Sequence, residues 1–155
     1  MFFIIVILMM GIGESKLMPS IVWDESLSIG INLIDEQHKM LIERTNAISD
    51  AVEMKRGLEK IMQTLNFMIE YTEFHFSAEE KVMSENGYPK LNEHHLLHED
   101  FKTRLNQMVQ DFEEEGATSD LSEEITSYLT SWLVNHIKGI DTELGKILRE
   151  KGFVG

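Results

Sequence analysis

Apolar residues recur every three or four positions from residue 33 onward, which is the spacing of a helix that buries one face. Turn residues interrupt this pattern at Gly57, at the segment NGYP (86–89) and at Gly116, and so divide it into four stretches. Such short connections between long helices favour antiparallel neighbours. The sequence therefore predicts an all-α fold, an antiparallel up-down-up-down four-helix bundle with a short C-terminal helix. Asp120 with Glu123 fits a capping box at the start of the fourth helix.

The composition limits which partners and ligands the chain can have. Its 155 residues, 43% of them hydrophobic, suit one domain, which we assign to residues 18–155. The absence of cysteine excludes disulfides, thiolate metal sites and thiol nucleophiles, so any metal must be bound by nitrogen and oxygen. The net charge of -13 would repel a phosphate backbone, and we therefore expect no nucleic-acid partner.

The chain begins with the apolar run MFFIIVILMMGIG, within residues 1–17. The run is too short to span a bilayer, and it lacks the basic start and the cleavage site of a signal peptide. Residues 1–17 are either an extension upstream of a natural start at Met18 or an uncleaved anchor or partner-binding peptide. We expect a cytoplasmic protein, with membrane contact only if this peptide belongs to the natural chain.

Five of the six histidines and one glutamate lie on the apolar stripes, where ionisable residues are unexpected. These residues are His38, His75, Glu79, His94, His98 and His136. His75 and Glu79 are four residues apart, which places both side chains on one helix face. The same spacing separates His94 and His98.

Folding the chain at its predicted turns brings these six side chains to one height in the bundle. In an antiparallel hairpin, residues equidistant from the turn lie at the same level. The pairs whose midpoints fall at or beside a turn are His38 with His75, Glu79 with His94, and His98 with His136. Any one of these histidines alone would be interpreted as an ordinary hydrogen-bonded core residue. Six such groups together predict a metal site, because burying them unpaired would be costly.

The ligand types leave the metal open. Imidazole and carboxylate without sulfur fit iron, zinc, manganese or copper, and six ligands exceed one tetrahedral zinc, which indicates two ions. The sequence has no Glu-x-x-His motif, so a ferritin-like site is disfavoured. A further carboxylate is expected near His136, either Asp141 or Glu143. Asp141 would require the helix to bend, widen or end beyond His136, and a solvated Asp141 that starts a new helix is the alternative.

The spacing of these residues resembles the ligand set of the hemerythrin family. The seven positions that match are His38, His75, Glu79, His94, His98, His136 and Asp141. The segment MPSIVWDESLSIGINLIDEQHKML from Met18 also resembles the start of bacterial members of that family. The resemblance covers roughly residues 18 to 152.

The resemblance implies two non-haem iron ions (Fe2+/Fe3+) that share a bridging oxo or hydroxo group. It assigns three histidines to one ion and two, His38 and His75, to the other, with Glu79 and Asp141 bridging them. The ion with two histidines then keeps an open position for dioxygen. Trp132, Leu133 and Ile137 match the family's oxygen-pocket positions, and the neighbouring Phe76 and Phe101 are candidate additional walls or simple core.

The resemblance therefore implies reversible dioxygen binding for storage, transport, delivery or scavenging, without catalysis. The alternatives are sensing or detoxification of oxygen or nitric oxide, which would act through an unidentified protein partner or through residues 1–17, and a di-iron oxidase or peroxidase that uses the same site. Catalysis would need an acid or base beyond the ligands, and the sequence indicates none. Iron storage is a third alternative, which the acidic composition permits without favouring it.

Overall fold

The computed structural model describes residues 19–155, which fold into helices without strands. Within this range the five α-helices are α1 (Asn32–Glu53), α2 (Leu58–Glu85), α3 (Leu91–Glu115), α4 (Ser119–Asn135) and α5 (Thr142–Glu150). Helix α1 packs against α2 and α4, and α3 packs against the same two helices, so α1 to α4 form a closed bundle. The predicted four-helix bundle with a short C-terminal helix is confirmed. The predicted extension 1–17 and the start at Met18 lie outside the described residues.

The helices bury the faces that their periodicity indicates. Each of α1 to α4 directs one apolar stripe into a common core, and burial of these stripes is the main force holding the helices together. Fully buried members of this core are Ile34, Ile48, Leu65, Met68, Leu105, Phe112, Ile125 and Leu129. Leu58 is an exception to this burial. It is the first residue of α2, at the end of the bundle, and it is 37% exposed.

Turn residues separate the helices where the sequence predicted, with Gly57 as the N-cap of α2 and Gly116 as the C-cap of α3. Gly57 and Gly116 have φ of 87° and 80°, a left-handed conformation that side-chain-bearing residues avoid. The predicted capping box at Asp120 is wrong. Thr118 is the N-cap of α4, and its hydroxyl accepts a hydrogen bond from the backbone N–H of Leu121 at 3.2 Å. Asp120 lies inside the first turn instead, where its charge favours the helix N-terminus.

An extended segment before α1 closes the end of the bundle that carries α5. Ile29 and Ile31 are buried there, and the Asp35 carboxylate holds the segment by accepting from the backbone N–H of Ile29 at 2.8 Å. The Arg149 guanidinium of α5 donates to the carbonyl oxygen of Ile29. Gly145 faces the same carbonyl so closely that a Cβ there would clash with it. The segment therefore covers α5 and the residues just before it.

Between residues 19 and 155, the structure has no helix that is both long and apolar enough to cross a membrane.

Candidate metal centre

A π-helical segment, His136–Asp141, joins α4 to α5. In a π-helix the backbone bonds run from i to i+5, so residues five apart come to lie one above the other. The His136 Nε2 and Asp141 Oδ1 atoms are 3.2 Å apart as a result. The sequence predicted that the helix must bend, widen or end here, and the structure shows that it widens. Asp141 is fully buried, so its interpretation as a solvated charge is wrong.

All seven of the sequence-predicted ligand residues lie together in the bundle core. Helix α1 contributes His38, α2 contributes His75 and Glu79, α3 contributes His94 and His98, and the π-helical segment contributes the last two. Each is buried, and none has a side chain more than 5% exposed. The convergence that the turn midpoints predicted is therefore present in the structure. That these residues bind metal is taken up below as a proposal.

The two oxygens of Glu79 face different histidines. Oε1 lies 2.8 Å from His94 Nε2 and 3.5 Å from His98 Nε2. Oε2 lies 3.3 Å from His75 Nε2 and 3.8 Å from His38 Nε2. One carboxylate thus stands between two groups of imidazoles and presents one oxygen to each.

Asp141 repeats this division from the opposite side of the core. Its Oδ1 lies 3.0 Å from His94 Nε2 and 3.2 Å from His136 Nε2, while its Oδ2 lies 3.0 Å from His38 Nε2. Two clusters share both carboxylates as a result. The five-residue group is Glu79, His94, His98, His136 and Asp141, and the four-residue group is His38, His75, Glu79 and Asp141.

The polar atoms of this cluster lack the partners that buried groups normally have. Within residues 19–155, both oxygens of Glu79, both oxygens of Asp141 and the Nε2 atoms of His38 and His98 are buried without a hydrogen bond. Several imidazole nitrogens approach these oxygens to about hydrogen-bond distance without forming a hydrogen bond. Burying an unpaired carboxylate costs roughly several kcal/mol of folding free energy unless a cation compensates its charge. The donor set therefore fits metal ions lying between the carboxylates and the rings.

The pKa values in the protein without metal point in the same direction. Burial lowers the pKa of His38 and of His94, but the carboxylates of Asp141 and Glu79 outweigh it and raise each pKa to about 9. Burial raises the pKa of Glu79 and of Asp141, yet the surrounding imidazoles hold both below the ordinary carboxyl values. For His75 burial prevails, and its pKa is lowered. Two negative charges in the core thus require positive charge, which protons supply when metal is absent.

Aromatic rings stack on two histidines of the five-residue group, His98 and His136. The Trp132 ring stacks on His136, with centroids 4.3 Å apart and planes 12° apart. The Phe76 ring stacks on His98 at 3.7 Å and 4°. Phe101 packs against Trp132 at 4.0 Å, so it forms the layer behind them. Both phenylalanines belong to the hydrophobic core, and a further role as walls of a dioxygen pocket stays a prediction.

The remaining predicted pocket residues are part of the same packed region. Leu133 and Ile137 are buried at 2% and 1% exposure and belong to the same hydrophobic core as Phe76 and Phe101. Trp132, the third predicted pocket residue, is half-buried. The positions of these three residues on either side of His136 fit an apolar wall, and their contact with dioxygen stays a prediction.

Sequence reasoning missed two residues that contact the ring nitrogens turned away from the cluster. Gln37 Oε1 lies 2.8 Å from His75 Nδ1, and Glu80 Oε1 lies 2.8 Å from His98 Nδ1. His95, the one histidine outside the cluster, has a side chain 45% exposed and contacts the other Glu80 oxygen at 3.0 Å. Gln37 and Glu80 directly adjoin ligand positions in the sequence, and this adjacency is the signal that could have pointed to them. Their polar side chains resembled those of ordinary surface residues.

The fold and the site together define a helical-bundle protein with a buried dinuclear nitrogen and oxygen donor set. The model of the hemerythrin HHE cation binding domain matches residues 29–148. The chain belongs to the hemerythrin family, as the ligand spacing indicated.

Known proteins similar to this chain carry names from that family. Bacteriohemerythrin of Stenotrophomonas maltophilia (strain R551-3) is 37% identical over 125 residues, which cover 80% of this chain and 78% of that protein. Myohemerythrin of Theromyzon tessulatum is 33% identical over 119 residues, covering 77% and 86%. The crystal structure of a wild-type hemerythrin superposes with a TM-score of 0.76 at 24% identity, covering 84% and 98%, and supports the fold.

Proposed function

We propose that this protein binds dioxygen reversibly at a non-haem di-iron centre held by His38, His75, Glu79, His94, His98, His136 and Asp141. The observation that carries the proposal is the division of both carboxylates between two histidine groups. A carboxylate that presents one oxygen to each group is placed to bridge two ions. Membership of the hemerythrin family supports iron as the metal.

Two iron(II) ions bound in this site would supply, between them, the two electrons that reversible dioxygen binding uses. The protein's part is to hold and orient them. Five imidazoles and two carboxylates from four separate helical segments fix the site on rigid elements. The four-residue group offers one ligand fewer than the five-residue group, so we expect an external ligand at the end with His38 and His75.

The surroundings suit binding more than turnover. Reversible binding requires that water and stray protons stay away from the centre. Trp132 and Phe76 stack on His136 and His98, and the buried Leu133 and Ile137 add apolar surface beside His136 in the sequence, so these four residues would help to exclude both. We therefore propose a binding protein and not an enzyme. Storage, transport, delivery and scavenging of dioxygen would all use this site in the same way.

The test is anaerobic reconstitution of the full chain with iron(II), followed by metal analysis and optical spectra. We expect two irons per chain and a visible charge-transfer band that appears with air and disappears under argon. Asp141→Asn should lose both, because an amide cannot bridge as a carboxylate does. Glu143→Gln is the matched control. Glu143 follows Asp141 by two residues, but its carboxylate is exposed and paired with Lys90. A permanent oxidised spectrum after air, or one iron per chain, would contradict the proposal and favour the oxidase or storage alternatives.

A further inference from the structure

Glu80 lies next to the bridging residue Glu79 but turns its carboxylate to the outer side of the α3 histidines. Its Oε1 atom is 2.8 Å from His98 Nδ1, and its Oε2 atom is 3.0 Å from His95 Nδ1. The Glu80 side chain is 26% exposed, whereas that of His98 is completely buried. One carboxylate therefore connects a core imidazole to a half-exposed imidazole on the same helix.

An ionised carboxylate can only accept hydrogen bonds, so His98 must carry its proton on Nδ1 to make this contact. The Nε2 atom of the same ring is then left with a free lone pair. That atom points into the cluster, 3.5 Å from Glu79 Oε1, and within residues 19–155 it has no hydrogen-bond partner. Glu80 thus holds His98 in the one tautomer that can bind a metal ion through Nε2.

The four-residue group has a different arrangement. His75 Nδ1 contacts the side-chain amide of Gln37 at 2.8 Å. An amide can present either its oxygen or its NH2 group, and it carries no charge, so it enforces the tautomer of His75 less strongly. For His38, the Nδ1 atom has no hydrogen-bond partner among the described residues. A charged acceptor thus contacts the Nδ1 atom of His98, whereas among the described residues neither histidine of the four-residue group has one at its Nδ1 atom.

We propose that Glu80 is a positioning residue of the metal centre, which fixes the tautomer of His98 and makes the five-residue group the first to bind a divalent ion. A carboxylate behind a ligand histidine raises the basicity of the ring nitrogen that binds the metal. The effect is confined to one group, because Gln37 offers no charge to the other. This inference depends on the proposed metal centre but not on dioxygen.

Stepwise titration of the metal-free full chain with Co²⁺, followed by its optical bands, tests the order of filling. We expect Glu80→Gln to weaken binding of the first ion about tenfold, the lower end of the usual effect of removing such a partner. Gln37→Glu places a carboxylate behind His75 and should strengthen binding of the second ion. Glu73→Gln is the matched charge control, because Glu73 is an exposed α2 carboxylate that contacts Lys102, and it should leave both steps unchanged.

A spectroscopic measurement on the unmodified chain tests the tautomer even if a variant fails to fold. In the zinc-loaded protein, nitrogen-15 NMR should show His98 protonated at Nδ1, with that proton shifted downfield and protected from exchange. Glu80→Gln should move the proton resonance upfield while the far-UV circular dichroism stays unchanged. A His98 ring protonated elsewhere, or a first Co²⁺ affinity in Glu80→Gln equal to that of the Glu73→Gln control, would overturn the proposal. Either result would leave the oxygen-binding proposal standing, because two irons and a reversible band can still be observed.

Discussion

The two halves of the bundle core are built on opposite principles. The half next to the α1–α2 and α3–α4 turns, which we call the apolar half, is a close-packed hydrophobic core. Its residues include Ile48, Leu65, Met108, Phe112, Ile125 and Leu129, each at most 2% exposed. The metal half, nearer to α5, buries five imidazoles and two carboxylates at similar exposure. Both halves are buried, but only the apolar half consists of groups that need no polar partner.

The two halves obtain their stability from different sources. Apolar burial needs no partner, so the apolar half holds α1 to α4 together whether or not metal is present. The metal half contains buried polar atoms without hydrogen bonds, and it is therefore completed by cations or by protons on the imidazoles. Positions that break the ordinary rules of core composition are where function is expected in a protein.

The largest effect should come from removing a bridge between the two groups. Glu79→Gln replaces the carboxylate that faces both groups, so we expect the bound metal to fall from two ions per chain to at most one and the metal-induced stabilisation to be lost. Metal analysis and thermal unfolding with and without iron(II) measure both. The metal-free variant should retain its helical circular dichroism, because the apolar half is untouched. Two tightly bound ions in this variant would show that Glu79 is not a bridge.

The second largest effect should come from a substitution in the apolar half. Phe112→Ala, in a fully buried residue near the far end of α3, should lower the free energy of unfolding by about 3–5 kcal/mol through lost burial and the cavity left behind. Because Phe112 is roughly 20 Å along α3 from His98, the loss should be equal in metal-free and metal-loaded protein. Urea unfolding of both forms checks this. A much larger loss in one form would mean that the two halves are coupled, and the division into halves would then be wrong.

Sequence reasoning succeeded for the two halves for different reasons. The apolar half follows from periodicity, which reports directly on the face that a helix buries. The metal half was predicted because ionisable residues such as His38, His75, Glu79 and His94 occupy positions of the apolar stripes and are related to one another by the turns. Spacing alone left the metal open and could not choose between Asp141 and Glu143.

Other features of the centre depend on distances between atoms, which the spacing of residues along the sequence does not determine. The π-helical widening after His136 needs knowledge of the local backbone, and the contacts of Gln37 and Glu80 depend on side-chain rotamers across neighbouring helices. The same holds for the cap at Thr118. Asp120 with Glu123 satisfied the capping pattern, but the helix begins two residues earlier than that cap would require.

A smaller effect is expected in the pH dependence of stability, which should arise from the metal half alone. In the metal-free protein the pKa values of His38 and His94 are about 9, above the ordinary value of 6.5, so their contribution to stability is present in full below pH 6.5 and is lost as pH rises through about 9. The lowered pKa of His75 opposes this trend, but only one group acts in that direction. We expect the free energy of unfolding to fall between pH 6.5 and 9, on the order of 1 to 3 kcal/mol.

The metal-loaded protein supplies the control for this pH dependence. Ions bound to the imidazoles take the place of the protons, so its stability should not decline over the same range. Urea unfolding at pH 6.5 and pH 9 in the presence of a chelator, and again with bound metal, makes the comparison. Equal pH dependence in the two forms would mean that the buried carboxylates are compensated by something other than His38 and His94.

The smallest effect should come from the α3–α4 turn, at the end of the apolar half farthest from the metal. Thr118→Ala removes the hydroxyl that accepts from the backbone N–H of Leu121, so α4 should lose about 1 kcal/mol of stability. Asp120→Asn is the matched comparison, since Asp120 acts only through its charge near the helix N-terminus and should cost less than Thr118→Ala. Metal affinity should be unchanged in both variants, because the turn holds none of the ligands. A loss of metal binding in Thr118→Ala would instead show that α4 positions His136 through its whole length, so that even the far end of the apolar half serves the site.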